Sequence, residues 1–322
     1  MVNQGGNKLK IVFMGTPDFA KESLEAIYNE GYDIEAVVTN PDKPKGRGMK
    51  MIASPVKEFA IEKNLKIYQP VKVRNNTEFI DELKKINPDV ICVVAYGKIL
   101  PKEILEIAKY GCINVHGSLL PQYRGAAPIQ WAVLNGDKTT GITTMYMDEG
   151  MDTGDMLLKA KIDITDEDNL ETVYNKLKVV GGELLVKTLN GIVNNSITRV
   201  KQEGEATYAP MINKDTLKID FNKTGREIFN HVRGLSPVPG TLMFIDENTK
   251  FNVYKVSYEL KEIEGIENGG VVEISKSKLS IKCADGVVNI LEIQPPNSKR
   301  MDVKAFLAGN KIINSDSKFV NI

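Results

Sequence analysis

Asn114 and His116 are the residues whose types and spacing most directly suggest chemistry. They stand at i and i+2 near the end of an apolar run at 111–115, so in a strand their side chains share one face. In an open α/β sheet the carboxyl ends of strands form the ligand crevice. A carboxamide offers two fixed N–H donors and no charge to titrate, which suits a place where an oxygen turns negative in a tetrahedral intermediate. An imidazole beside it, with an ordinary pKa of about 6.5, gives or takes a proton near neutral pH. Its natural partner is a carboxylate that fixes the tautomer. The downstream run MDEGMDTGD holds four acids between glycines, Asp148, Glu149, Asp152 and Asp155, and residue types alone do not choose among them. Ser118 lacks a nucleophile-elbow context, and no cysteine stands near a second histidine, so no covalent nucleophile presents itself. His231 is far away and there is no His/Cys cluster, so no metal site is expected. The chemistry left is acyl or one-carbon transfer by direct attack.

The elements that must position these residues begin with a strand at 10–14. Thr16 is placed to cap the following helix with Pro17 in its first position. Ala20, Leu24 and Ile27 recur at helical spacing, Gly31 closes the helix, and a second strand follows at 34–39. This β-α-β opening predicts a parallel sheet with a right-handed crossover. The alternation continues with a helix capped by Ser54-Pro55 and a short strand near Ile67. A helix around Phe79, Ile80 and Leu83, a strand at 89–95, a helix at 101–109 and the strand at 111–115 follow. Further on come a helix from Pro128, strands at 141–147 and 156–164, and a long helix at 167–190 capped by Thr165. The pattern reads as an α/β, Rossmann-like doubly wound sheet. The first turn, Gly15-Thr16-Pro17-Asp18, lacks G-x-G-x-x-G, and no Walker sequence occurs. The fold therefore supplies a scaffold and not a dinucleotide site.

This first domain is expected to span 1–202, with a polar connection at 203–216 and a second domain at 217–322. The second part holds one amphipathic helix and five short alternating segments separated by turn residues, which suggests a small OB-like β-barrel. Across the 322 residues, 42% are hydrophobic and 26% charged, and 42 basic side chains balance 42 acidic ones. Such a chain has no global pull toward a polyanion or a membrane, so any polyanionic partner needs a local patch. One candidate is the basic loop around Arg47 at 40–51. Three scattered cysteines read as buried thiols in a reducing cytoplasm, and no apolar run reaches membrane-spanning length.

Several stretches together carry a resemblance. They are Asn114-Val115-His116-Gly117-Ser118-Leu119-Leu120-Pro121 with Tyr123-Arg124-Gly125, Phe13-Met14-Gly15-Thr16-Pro17, Lys45-Gly46-Arg47-Gly48, Gln69-Pro70, Ala95-Tyr96-Gly97 and Ala206-Thr207-Tyr208-Ala209-Pro210. The set resembles the folate-dependent formyltransferases, over nearly the whole chain, and within them the branch whose acceptor is a transfer RNA. The family's catalytic Asp stands in an Asp-x-Gly turn, which matches Asp152-Thr153-Gly154. The resemblance implies a catalytic set of Asn114, His116 and Asp152. It also implies a 10-formyltetrahydrofolate site lined by Ser118, Leu119, Leu120 and Pro121, without metal. The acceptor it implies is the amino group of initiator methionyl-tRNA, for translation initiation; the protein is expected to be cytoplasmic and a monomer. Arg47 matches the family's key arginine on a loop that enters the acceptor stem, with Lys43 and Lys45 beside it, and the C-terminal barrel would lie along the tRNA. A formyltransferase acting on an amino sugar nucleotide is the nearest rival. A one-carbon enzyme of purine synthesis and a non-catalytic RNA-binding protein are the others.

Overall fold

A computed structural model describes residues 9–45 and 49–320. In chain order the elements are β1 (Lys10–Gly15), α1 (Asp18–Asn29), β2 (Asp33–Val38), β3 (Lys43–Lys45), β4 (Lys50–Ile52), α2 (Pro55–Glu62), β5 (Ile67–Tyr68), α3 (Thr77–Ile86), β6 (Val90–Val94), α4 (Lys102–Leu105), β7 (Cys112–His116) and β8 (Arg124–Gly125). Then come α5 (Pro128–Leu134), β9 (Thr139–Tyr146), β10 (Met156–Asp163), α6 (Leu170–Val193), β11 (Tyr208–Ala209) and α7 (Gly225–Leu235). The last are β12 (Thr241–Asp246), β13 (Thr249–Leu260), β14 (Val271–Ile274), β15 (Leu279–Cys283), β16 (Gly286–Gln294), β17 (Met301–Asp302) and α8 (Val303–Ala308). Two compact units emerge. One comprises 1–125, 140–162 and 174–208, and the other 126–139, 163–173 and 209–322.

In the first unit the apolar runs of β1 and β6 are buried from end to end, as central strands covered on both faces require. The sheet order is β10-β9-β7-β6-β1-β2-β5. Strands β1, β2, β5, β6 and β7 pair in parallel, but β9 runs antiparallel to β7. The sheet is therefore mixed, not parallel throughout. The chain leaves β7 at His116 and returns along it with Thr143 opposite His116, a route that antiparallel pairing allows without a crossover to the far end.

Three local expectations change for identifiable reasons. Thr16 does not cap α1: Pro17 holds that position without a side-chain cap, and Thr16 Oγ1 instead accepts from Asn40 Nδ2 at 3.0 Å. The helix expected at 101–109 stops at Leu105, because Tyr110 N–H donates to Asp89 O at 2.8 Å and draws the chain toward β7. Thr165 does not cap α6, which begins at Leu170. Both Thr165 donors go to Asp168 Oδ2, and Asn169 Oδ1 accepts the Thr172 N–H at 3.0 Å in its place. Ser54 does cap α2, accepting the Lys57 N–H at 3.1 Å with Pro55 in the first turn, and Gly31 follows α1 at φ +80°.

The second unit is an antiparallel sheet of six strands, ordered β12-β13-β16-β15-β14 with β17 on β16. The two-residue β17 is one more strand than the alternation pattern marks. Phe251, Ile281, Val288 and Ile293 are fully buried in its core, where Phe251 meets Phe306 and Phe319 edge-on, the arrangement favoured by the ring quadrupole. The tail ties the two open edges. Val320 N–H donates to Phe244 O on β12, and Phe319 N–H donates to Gly269 O just before β14, both at 2.8 Å. Helix α7 starts in a capping box between Thr224 and Glu227, two orphan helix donors satisfied reciprocally.

Candidate active site

Strand β7 delivers Asn114 and His116, and the turn after β9 delivers Asp152. The Asp152 carboxylate is the meeting point. Its Oδ2 accepts the Gly125 N–H at 2.8 Å and lies 3.6 Å from His116 Nδ1, while its Oδ1 receives Asn114 Nδ2 at 3.5 Å. Asp148, by contrast, closes its own turn, accepting from Gly150 N–H and the Thr153 hydroxyl at 3.0 and 2.6 Å. The turn passes so near β9 that a Cβ at Gly154 would lie 1.9 Å from Tyr146 O. Asp152 itself sits at φ +55°, a left-handed conformation that Asp tolerates better than most side chains.

His116 is buried, at 5% exposure, and its Nε2 faces Tyr123 O at 2.9 Å. A carbonyl only accepts, so Nε2 carries the proton. The neutral ring then turns a bare Nδ1 toward Asp152, and a proton added there lies between imidazole and carboxylate. Tyr123 is at φ +59°, uncommon for a bulky residue, and its N–H donates to Thr207 Oγ1 at 2.8 Å.

The run Ser118–Pro121 is held largely by its own surroundings. Ser118 Oγ donates to Gln122 O at 2.6 Å. The Thr143 hydroxyl donates to Ser118 O and accepts from Leu120 N–H. Lys159 Nζ donates to Leu120 O at 2.5 Å, and desolvation lowers the pKa of this lysine. Leu120 is fully buried against Met145 and Met156, whereas Leu119 and Pro121 are half-buried.

The basic loop is rooted in β3 and β4, which pair antiparallel. Lys43 is exposed on β3, Lys45 ends the same strand, and Arg47 lies outside the described residues. At the root, Asp42 accepts from Lys57 Nζ at 2.7 Å and Gln69 Nε2 at 2.9 Å, and these donors hold its carboxyl below the usual range. Asn40 Nδ2 reaches Thr16 Oγ1 and Tyr96 O, both at 3.0 Å.

Sequence reasoning missed four contributors. The Tyr123 carbonyl is backbone and carries no signature. Thr143 and Lys159 lie on strands whose periodicity marks a face and not a partner. Gln202, read only as the end of a domain, donates Nε2 to Asp152 O at 2.7 Å and Gly154 O at 2.9 Å. Its Oε1 accepts from Arg124 Nε and Nη2 at 3.0 and 2.7 Å. Among the described residues no His/Cys/Asp/Glu group is placed to hold a metal ion, and no helix is long and apolar enough to cross a membrane.

Two family models match the chain, a formyl transferase domain over residues 9–189 and a formyl transferase C-terminal domain over 211–311. The chain is 51% identical over 305 residues to a methionyl-tRNA formyltransferase of Caldanaerobacter subterraneus subsp. tengcongensis, covering 94% of this chain and 98% of the relative. It is 50% identical to that of Clostridioides difficile strain 630, with the same coverage. Among solved structures it resembles an N-formyltransferase from Helicobacter canadensis in complex with folinic acid and dTDP-3-aminofucose. That match has a TM-score of 0.66 at 22% identity, covering 91% of this chain and all of the other. A 4-N formyltransferase from Francisella tularensis is similar with a TM-score of 0.61 at 25% identity, covering 79% and 99%.

Proposed function

The chain belongs to the formyl transferase family, and from that premise we propose how it works: the formyl group of 10-formyltetrahydrofolate passes to the α-amino group of methionine on initiator methionyl-tRNA. It is a formyl-transferring enzyme of the methionyl-tRNA type. The observation that carries the mechanism is the Asp152 carboxylate set between the Asn114 carboxamide and the His116 imidazole. The amine attacks the formyl carbon, a new C–N bond forms, and the carbonyl oxygen becomes negative. Asn114 supplies N–H donors to that oxygen, and its carboxamide carries no charge to titrate. The amine's proton leaves toward the His116–Asp152 pair, collapse breaks the bond to the folate nitrogen, and that nitrogen is reprotonated. No covalent enzyme intermediate is involved.

The donor lies against residues 118–121. There Leu119 and Pro121 offer partly exposed apolar surface, while Ser118 and Leu120 hold the wall from inside. Arg47, Lys43 and Lys45 meet the acceptor stem, and a phosphate contact there is salt-dependent. The catalytic domain spans 1–202, 203–216 connects, and 217–322 forms an OB-like barrel along the tRNA. The enzyme works in the cytoplasm as a monomer, without metal. The test is formyl transfer from 10-formyltetrahydrofolate to charged initiator tRNA, with an amino sugar nucleotide as parallel acceptor. Transfer to the tRNA is expected. Transfer to the sugar alone overturns the reading.

A further inference from the structure

We propose that Gln202 is a positioning residue for this reaction, holding Asp152 against His116 by clamping the turn that carries Asp152 to strand β8, which carries Gly125. The inference rests on the mechanism above and adds to it a residue outside the expected catalytic set. Asp152 needs such a restraint. Of its three side-chain contacts only the one from Gly125 N–H, at 2.8 Å, is a short hydrogen bond. The others, to Asn114 and His116, are 3.5 and 3.6 Å, at or beyond the limit of useful geometry. Its backbone also occupies the left-handed region, which persists only when surroundings enforce it.

Gln202 supplies the enforcement with every polar atom of its carboxamide. Its two N–H groups go to Asp152 O and Gly154 O, the carbonyls on either side of Thr153. Its oxygen takes two donors of the Arg124 guanidinium. Arg124 precedes Gly125, whose N–H returns to the Asp152 carboxylate. The contacts close a ring from the Asp152 carbonyl through Gln202, Arg124 and Gly125 back to the Asp152 carboxylate. Arg124 is itself held, its N–H donating to Thr207 O at 2.8 Å. The ring requires a neutral side chain that donates twice and accepts twice, and among side chains of this length only glutamine does both.

Gln202→Glu separates the two halves of the clamp. It keeps an acceptor for Arg124 and strengthens that contact by charge, but it replaces the donor nitrogen with an oxygen that faces both carbonyls. Gln202→Ala removes both halves. Thermal unfolding identifies folded variants, and steady-state transfer kinetics are read together with imidazole ¹⁵N resonances. Only two histidines occur in the chain, so His231 is an internal reference for His116. In Q202E we expect kcat to fall at least tenfold with KM for donor and acceptor within threefold, and the His116 Nδ1 resonance to move while those of His231 stay. A Q202E enzyme with kcat within twofold of wild type, or an unmoved His116 Nδ1 resonance, overturns the proposal. The resonance needs no turnover. A wild-type protein silent in the transfer assay therefore sinks the functional reading, and the clamp is still judged by the resonance alone.

Discussion

Replacing Gly154 with alanine should disable the reaction without unfolding the protein. The glycine is not at positive φ, so alanine meets no conformational penalty there; the obstacle is contact. Its Cβ would lie 1.9 Å from Tyr146 O and 2.9 Å from the carbon of that carbonyl, both backbone atoms. Reaching even 3.0 Å from the oxygen requires a retreat of about 1.1 Å. Tyr146 resists moving, because β9 pairs it with Ile113 on the buried strand β7, so the turn carrying Asp152 moves instead. The Gly125 N–H bond to Asp152, now 2.8 Å, would then stretch to roughly 3.9 Å, past hydrogen-bond range. A misplacement of about 1 Å in a catalytic arrangement costs on the order of 10²-fold, equivalent to about 2.7 kcal/mol of barrier. The assay is single-turnover formylation of charged initiator tRNA at saturating donor, with a thermal scan to confirm folding. Running Gly154→Ala in an Asp152→Ala background isolates the route. If the damage passes through Asp152, the second substitution adds little there. A folded Gly154→Ala enzyme with a rate within threefold of wild type, or a full additive loss in the double variant, would refute the reasoning.

His116→Ala should lower turnover by about 10²- to 10⁴-fold, the usual range for a positioned acid–base group, and near-normal single-turnover rates would remove His116 from the mechanism. Arg47→Ala should raise KM for initiator tRNA and flatten its dependence on salt by about one phosphate contact; an unchanged salt slope in filter binding would return the loop to solvent. His231 is half-buried with Nε2 donating to Thr216 O at 2.6 Å, and desolvation lowers its pKa. The unfolded chain therefore binds more protons as pH falls through the ordinary value of about 6.5, and stability is lost in that window and retained above it. Urea midpoints from pH 7.5 to 5.5 should fall, and the fall should shrink in His231→Gln. All three thiols are buried, and burial pushes Cys92 up and Cys112 to about 12, so a disulfide reagent at pH 8 should modify none of them until denaturant is added. Rapid modification of the native protein would contradict that burial.

The parts of this molecule that could be read from one sequence are those in which a residue's environment is set by its near neighbours. Asn114 and His116 share a face because a strand alternates, and their place at a strand end follows from the Gly-Ser-Leu-Leu-Pro stretch after them. Neither statement needs a distant partner. The same holds for Ser54, which caps α2 through an N–H three residues on. Thr16 has the same chemistry but is taken by Asn40, 24 residues away, and Thr165 gives its donors to Asp168. Local preference loses wherever a tertiary partner competes for the same atoms. Strand direction was hidden for a different reason, since alternation in β9 is identical read forward or backward. The acid facing His116 could not be chosen by type, because Asp148, Glu149 and Asp155 offer the same carboxylate chemistry, and only the resemblance singled out Asp152. The restraint on Asp152 lay deeper still. Gln202 lies 50 residues from the carbonyl it holds and 78 from Arg124, in a polar stretch without periodicity, and a glutamine there has no feature to separate it from a solvated one. Candidate residues can thus be named from strand spacing and a resemblance, while the geometry that joins them depends on contacts that neither encodes. That is why Gln202→Glu, which changes one atom's chemistry and almost no volume, is a sharper probe of this site than removal of any residue in the proposed catalytic set.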